Sequence, residues 1–382
     1  MDSAAKAAIF AHTLVYRVHL SGEAVEVASF TVGVCAETGP RERRVAVVPA
    51  AVGMLRALGA QVAVEAGAGR RAGYGDSAYV RAGAEVLGRA AVVGRADVLL
   101  GVGLPAASTG PGTRRGQVVA GLLRPLRNAL TVRYWAEHGI TAVSFDLLTE
   151  APGDLADMDA AAQQARIAGR QAVLTGLLHS GRDLPGSGTW RRDRPVQVLV
   201  AGGGPAGLQA AHTARTLGAA ATVCDTCGPR LQDGTPRALL AALTGSDIAV
   251  VTARDTSPGM PEQLVGKDAL TSMAPGSVVV DTTAEPDGGS VAGVRWGTTV
   301  TVPPGVTVVG AGSLVPDLAH EASAGYAKRA AALLGRFAVN GRFTIDLGDP
   351  LHAALVVTHH GDLLRPDVQR DLFRLTEVAG LP

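Results

Sequence analysis

The sequence predicts an α/β protein of two domains flanking a cleft, the second of them a doubly wound parallel sheet. Three observations carry this. Short apolar, β-branched runs recur at helix-sized intervals over residues 31–146 and again over 196–309, the alternation expected of parallel sheets covered by helices. A glycine cluster at 202–207 separates one such run from a stretch with helical spacing. A long helical pattern from about Met158 to Leu178 lies between the two sets. With 382 residues, 47% of them hydrophobic and 18% charged, the chain has enough apolar side chains for two sizeable cores.

Residues 1–30 show neither a signal-peptide pattern nor a helical repeat and read as an N-terminal extension. Thr31 to Val34 reads as a strand, Arg41 to Arg44 as a polar loop, and Pro49 as the first residue of a helix through Val52, Leu55 and Leu58, because proline fits the first turn. A strand follows at Gln61 to Glu65. The glycine-rich loop 67–74 also follows a strand, but no helical pattern begins within it, so a structural or substrate-facing loop fits better than a second nucleotide site. A short helix at Asp76 to Ala82 comes next, then strand-like runs at 96–102, 118–122 and 141–145. In the stretch from 158 to 178, Met158, Ala161, Ala165, Ala168, Ala172 and Leu177 fit one helical face. Residues 180–195, rich in Gly, Pro, Arg and Asp, read as a linker.

The second unit begins with Val196 to Val200. Gly202, Gly204 and Gly207 then spell G-x-G-x-x-G, with Pro205 and Ala206 inside the motif. Leu208, Ala211, Ala214 and Leu217 make a helical stripe, and a second apolar run ends on Asp225, about 20 residues on. Each glycine has a physical reason. Gly202 permits the tight turn out of the strand, Gly204 lets a pyrophosphate approach the backbone, and Gly207 lets the helix sit close to the strand and aim its free N–H groups at phosphate. A chance glycine loop is the competing reading in a chain with 49 glycines, and the coincidence of strand, helix and acid-ended second strand decides against it. Both units thus read as Rossmann-like. Asp225 can accept both ribose hydroxyls of NAD, whereas a 2′-phosphate would meet its charge, so NAD is the expected cofactor. Thr252 and Ala253, at the end of the strand 248–252, are further cofactor-binding candidates. The region 229–239 looks short and broken, and strands resume at 277–281 and 306–309. A helix at 319–334 and a β-like run at 355–358 are expected to return to the first domain. The domain expectation is therefore 31–157 with 326–382, and 158–325.

Composition excludes several classes. A formal net charge of +1 without a basic run gives no electrostatic reason for nucleic acid, and no apolar stretch reaches the roughly 18–20 residues of a membrane span. Only Lys6, Lys267 and Lys328 among the 35 basic residues are lysine, which limits any chemistry needing an amine. The cysteines Cys35, Cys224 and Cys227 suit a reducing compartment. Cys224 and Cys227 form a lone C-x-x-C with no second pair of ligands, so no metal is expected.

The motifs together resemble the family that joins alanine dehydrogenase with the NAD-binding alpha subunit of proton-translocating NAD(P) transhydrogenase. The resemblance runs over about 32–365, through Glu42-Arg43-Arg44-Val45-Ala46 with Pro49, VEAGAGRRAGYGD at 64–76, MDAAAQQARIAGRQAV at 158–173, VAGGGPAGLQA at 200–210, GSVVVDTTAE at 276–285 and VTHHGDL at 357–363. The segment around Met158-Asp159 and the terminal segment are closer to the transhydrogenase branch. That branch implies hydride transfer between NAD(H) here and NADP(H) on a partner that is membrane-bound or NADP-binding, with a homodimeric, cytoplasmic subunit held at the membrane through the partner. The other branch implies an amino-acid or oxo-acid dehydrogenase, and an NAD-binding module without catalysis is a third reading.

The resemblance also implies site residues. Arg44 stands where the alanine dehydrogenases carry a substrate-binding arginine suited to a carboxylate, the alternative being a surface loop arginine. The family's lysine position is Gly101 and its histidine falls near Arg124, so neither acid-base group is kept in kind. Glu285, with Asp287 close by, falls beside the nicotinamide position, against the alternative of an acidic turn at a sheet end. In the transhydrogenase branch an Arg, Gln and Asp lead into the bridging helix. Asp159 matches the last of these, implying a role at the nicotinamide, while the others read near Ala151 and at Ala156, and a serine position reads Ala162.

Overall fold

The computed structural model describes residues 29–39, 41–105, 108, 112–150, 155–181, 195–224, 235–253, 263–286, 288–312 and 314–379. In chain order it runs β1 (Phe30–Val34), α1 (Pro49–Ala57), β2 (Ala60–Glu65), α2 (Asp76–Ala82), β3 (Glu85–Leu87), α3 (Arg89–Arg95), β4 (Val98–Leu100), β5 (Val118–Gly121), α4 (Ala129–Glu137), β6 (Thr141–Ser144) and α5 (Ala160–Ser180). It continues through β7 (Gln197–Ala201), α6 (Pro205–Thr216), β8 (Ala220–Cys224), α7 (Arg237–Thr244), β9 (Ile248–Val251), α8 (Lys267–Thr271), β10 (Val278–Asp281), β11 (Thr299–Val302) and β12 (Val306–Gly310). The last elements are α9 (Ala319–Leu334), the hairpin β13 (Ala338–Val339) and β14 (Arg342–Phe343), α10 (Pro350–Leu355), β15 (Val356–His359), β16 (Asp362–Leu363) and α11 (Pro366–Ala379).

Among the described residues the strands build an eight-stranded sheet, ordered β16-β15-β6-β5-β4-β1-β2-β3, and a six-stranded sheet, ordered β11-β12-β10-β9-β7-β8. All neighbours in the first sheet are parallel except that β15 runs antiparallel to both β6 and β16. In the second only β11 is antiparallel, as a hairpin partner of β12. Each sheet reverses its winding direction once, the first between β1 and β4 and the second between β7 and β9. Such reversal points leave a crevice beyond the carboxyl ends of the strands, because successive helices diverge to opposite faces there.

The period-two pattern of the central strands explains the double cover. Leu199, Ala201, Ala249 and Val251 pack into one core with Leu239, Leu264 and Val279, while Val198, Val200, Ile248 and Val250 pack into another with Ala210, Ala211 and Val280. Each such Val, Ile or Leu, buried in full, contributes about 1.5–3 kcal/mol of apolar transfer. The first sheet's core includes Val32, Leu55, Tyr79, Leu100, Trp135, Phe145, Tyr326 and Phe337, so α9 packs on that sheet from Ala319 onward.

Two helical faces differ from the pattern read in the sequence. On α6, Leu208 is 58% exposed, and the face against the sheet is Gly207, Ala210, Ala211 and Ala214. On α5 the buried face includes Ala160, Ala162, Gln164, Ile167, Ala172 and Val173, whereas Ala161, Ala165 and Ala168 line the cleft. Both helices are covered on two sides, so small residues sit where neighbours approach and an apolar stripe alone does not identify the core side. A Cβ at Gly169 would collide with the Ala206 carbonyl, and one at Gly176 would stand 2.6 Å from Ile248 Cγ2, so α5 crosses α6 and the second sheet at close range. The broken region near 229–239 yields α7 from Arg237 onward; residues 225–234 lie outside the described set, as do the extension 1–28, most of the linker and Cys227. No helix of the described residues is long and apolar enough to cross a membrane.

Candidate functional site

The turn between β7 and α6 lies at the reversal point of the second sheet. Gly202 has φ +116°, a conformation that favours glycine, and a Cβ there would stand 2.8 Å from Thr252 Oγ1 and 2.9 Å from Ala253 Cβ. Thr252 and Ala253 both donate their amides to the Ala201 carbonyl, at 2.9 and 3.1 Å, which holds the end of β9 against the glycine turn. Gly207 faces the same turn, since its Cβ would fall on the Gly202 carbonyl oxygen. Gly204 differs: it caps α6 in an extended conformation with no side-chain cap, and a Cβ there would meet nothing within 4 Å. Pro205 opens the helix without a wasted N–H. Two glycines are thus required by the protein's own packing. The third faces open space beside the free amides and positive dipole end of a 12-residue helix.

The structure brings Gly202, Gly204, Pro205, Ala206, Gly207, Thr252 and Ala253 together, as the motif predicts. Asp225 and Asp287 lie outside the described residues.

From this turn a cleft of about 590 Å³ runs between the two sheets. It is lined by Arg41, Glu42 and Arg44, by 102–104, Arg124 and Asp146 on one side, and by Ala161, Ala165, Ala168, Ala206, Thr282 and Trp296 on the other. A second chamber of about 430 Å³ shares Arg124, Thr282 and Trp296 with it and adds Arg127, Thr252 and Glu285. Charged side chains reach across the gap. Glu285 forms an ion pair with Arg127, and the Arg41 guanidinium sits 4.8 Å from the centre of the Trp296 ring.

Arg44 lines the cleft, but its guanidinium is already engaged. It donates to both carboxylate oxygens of Glu42, Nε at 2.8 Å and Nη2 at 2.6 Å, and from Nη1 to Gln164 Oε1 at 2.6 Å. The pair is largely buried, with side chains 11% and 18% exposed. Burial opposes the charge on Glu42, yet the hydrogen bonds and charge of Arg44 outweigh it and hold the carboxyl below its ordinary range. Asp159 caps α5, accepting the Ala162 amide at 2.7 Å.

Several cleft residues carried no signal of their own in the sequence. Arg41, Arg127, Gln164 and Trp296 are recognisable only once the two units face each other. Glu37 had one indirect signal, its place at the carboxyl end of β1, beside the first sheet's reversal point. Its Oε1 accepts the Val102 amide, from the loop after β4, at 2.6 Å. Burial pushes its carboxyl up to about 7, the Val102 amide opposing, the Glu42 charge adding to the rise and the Arg44 charge reducing it. Arg124 follows β5 with φ +48°, rare for a residue with a side chain. At Gly101 a Cβ would come 2.8 Å from Pro105 Cγ and 3.0 Å from the Gly103 carbonyl, so the loop itself excludes a side chain there.

Comparison with known proteins agrees with this geometry. The family described as alanine dehydrogenase/PNT matches through its N-terminal domain over residues 33–168 and its C-terminal domain over 172–366. The NAD(P) transhydrogenase subunit alpha of Cereibacter sphaeroides is 31% identical over 365 residues, covering 85% of this chain and 69% of that one. The alanine dehydrogenase of Mycobacterium tuberculosis is 29% identical over 282 residues, 69% of this chain and 75% of the other. Among solved structures, a transhydrogenase from Sinorhizobium meliloti superposes with a TM-score of 0.73 at 32% identity, covering 87% of this chain and 99% of that one. An L-alanine dehydrogenase gives 0.73 at 22% identity, covering 91% and 100%, which speaks to the fold. Matches to both domains, over most of the described chain, place this protein in the alanine dehydrogenase/PNT family.

Proposed function

We propose that this chain is an NAD(H)-binding oxidoreductase that exchanges hydride with NADP(H) held by a partner, in the manner its relatives' name implies. The observation that carries the reading is the glycine turn. Gly202 and Gly207 are fixed by packing, while Gly204 leaves the end of α6 open to the cleft, which suits a dinucleotide pyrophosphate. NAD(H) would supply the hydride chemistry. The chain's own part is to bind the phosphates at residues 202–207, to seat the rest of the cofactor beside Thr252 and Thr282, and to exclude water by closing the cleft through Arg127–Glu285 and Arg41–Trp296. Asp159 would act by fixing the start of α5, whose face 161–168 lines the cleft. Residues 31–157 with 326–382 would form the partner-side domain, in keeping with β15 and β16 at the edge of the first sheet, and the subunit would work as a homodimer at the cytoplasmic face of a membrane partner.

Direct hydride exchange between two nicotinamides needs no proton shuttle, which agrees with a glycine enforced at 101 and an arginine at 124. The test is cyclic transhydrogenation with an added NADP-binding component. Hydride transfer to an NADP analogue at saturating NADH is expected, and its absence refutes the reading. One feature favours a second reading, an NAD-dependent oxo-acid or amino-acid dehydrogenase: Glu37, whose carboxyl burial pushes up to about 7, lies beneath the cleft loop at Val102. That reading requires NADH oxidation driven by pyruvate or a related acid with ammonia, and a flat trace across such acids rejects it.

A further inference from the structure

The four arginines of the cleft are not equivalent. Arg44 is held in a two-point pair by Glu42 and tied to Gln164, Arg127 is paired with Glu285, and Arg41 lies over Trp296. Among the described residues no acceptor pairs with the guanidinium of Arg124, and Arg124 borders both chambers of the cleft. Its backbone is nonetheless firmly held. The Arg124 amide donates to Asp146 Oδ2 at 2.7 Å, and the same oxygen accepts the Ser144 hydroxyl at 2.8 Å. The Arg124 carbonyl accepts the amides of Arg127 and Asn128, at 3.0 and 3.1 Å, and Asn128 Nδ2 at 3.2 Å. These bonds keep a non-glycine residue at φ +48°, immediately before a proline, where local sterics disfavour it. Asp146, which also lines the cleft, thus serves the Arg124 main chain through Oδ2. A residue fixed in a strained conformation with its charged fork unspent, at the junction of two chambers, is placed to receive a ligand.

We propose that Arg124 is the oxyanion receptor of this cleft, and that it takes a carboxylate or phosphate group in a two-point pair while Arg44 serves as a structural ion pair. The group has two possible sources, the carboxylate of a small acid or the pyrophosphate of a bound dinucleotide, and only the second rests on the nucleotide reading above. The guanidinium offers parallel N–H donors that match either group, which a lysine would meet only as a point charge.

The test is titration calorimetry of the full chain with oxalate, inorganic pyrophosphate and NADH, comparing wild type, Arg124→Gln and Arg124→Lys, each checked by thermal melting. Arg124→Gln is expected to melt as wild type does and to lose about tenfold or more in affinity for at least one oxyanion, with Arg124→Lys intermediate. Loss for oxalate alone assigns a small acid's carboxylate. Joint loss for pyrophosphate and NADH assigns the cofactor's phosphates. If wild type binds neither oxalate nor pyrophosphate, or if Arg124→Gln binds both as well as wild type, the proposal is overturned. Wild type that fails to bind NADH while binding oxalate through Arg124 refutes the nucleotide reading and leaves the receptor standing.

Discussion

Replacing Gly204 and Gly207 separately distinguishes a ligand-facing glycine from a packing glycine. Gly204 has φ −71° and ψ −179°, and its Cβ would point into open space, so Gly204→Val imposes no clash and no left-handed backbone. As valine is a poorer helix cap than glycine, the stability change should stay within about 1 kcal/mol. The isopropyl group would stand between the α6 amides and a pyrophosphate. Each charge-assisted bond so lost is worth about 1.5–3 kcal/mol, and two of them correspond to a loss in NADH affinity of about a hundredfold or more. Gly207→Ala behaves differently: its methyl falls on the backbone carbonyl of Gly202, which cannot swing aside as a flexible side chain would, and 3.1 Å from Thr252 Oγ1, at a cost of about 1–3 kcal/mol. With an unfolding entropy of about 2.1 cal/mol/K per residue over 382 residues, that lowers the melting temperature by about 1 °C for each kcal/mol. Differential scanning calorimetry with NADH titration monitored by fluorescence measures both. A Gly204→Val protein that melts normally and binds NADH as wild type does would show that the open space at Gly204 is not a phosphate site. Melting as low as that of Gly207→Ala would contradict the geometry of the turn.

Three further outcomes follow from the cleft. Arg44→Met leaves Glu42 buried without its partner and should cost about 3–5 kcal/mol in urea unfolding, while the double variant with Glu42→Gln recovers much of the loss; additive losses would refute the structural pairing. Glu37 has a folded-state value near 7 against an ordinary 4.5, so the native state holds its proton more tightly than the unfolded chain does. Its contribution is therefore complete below about pH 4.5 and is lost as pH rises towards 7, on the order of 3 kcal/mol in all. Glu37→Gln should flatten that part of the stability–pH curve, and an unchanged slope would refute the assignment. Gly101→Lys should lose about 1–3 kcal/mol through contact with Pro105 and gain no pyruvate- and ammonia-dependent NADH oxidation, whereas gain of that activity would show that the loop can accept the side chain.

Period-two runs, helical spacing and the glycine motif made the two parallel-sheet units and the nucleotide turn legible, because these features are local. A strand end, a tight turn and a helix start each depend on a few consecutive residues. Gly202, Gly204 and Gly207 could be given distinct reasons from spacing alone, and the structure shows close packing at Gly202 and Gly207 and open space at Gly204. The same logic failed for Leu208 and for Ala161, Ala165 and Ala168, since which side of a helix is covered depends on what packs against it.

The cleft itself is a long-range object. Gln164 reaches Arg44 across 120 residues, Arg127 reaches Glu285 across 158, and Tyr326 donates its hydroxyl to the Gly101 carbonyl across 225. Spacing in a sequence carries no signal for such pairs, whose members meet only because two sheets reverse their winding and face each other. The sequence by itself thus determined the folding units and the glycine turn proposed to hold a dinucleotide. Tertiary structure alone decided which charges remain available, pairing Arg44 with Glu42 and leaving Arg124 open, because a guanidinium's role depends on the acceptor that reaches it first.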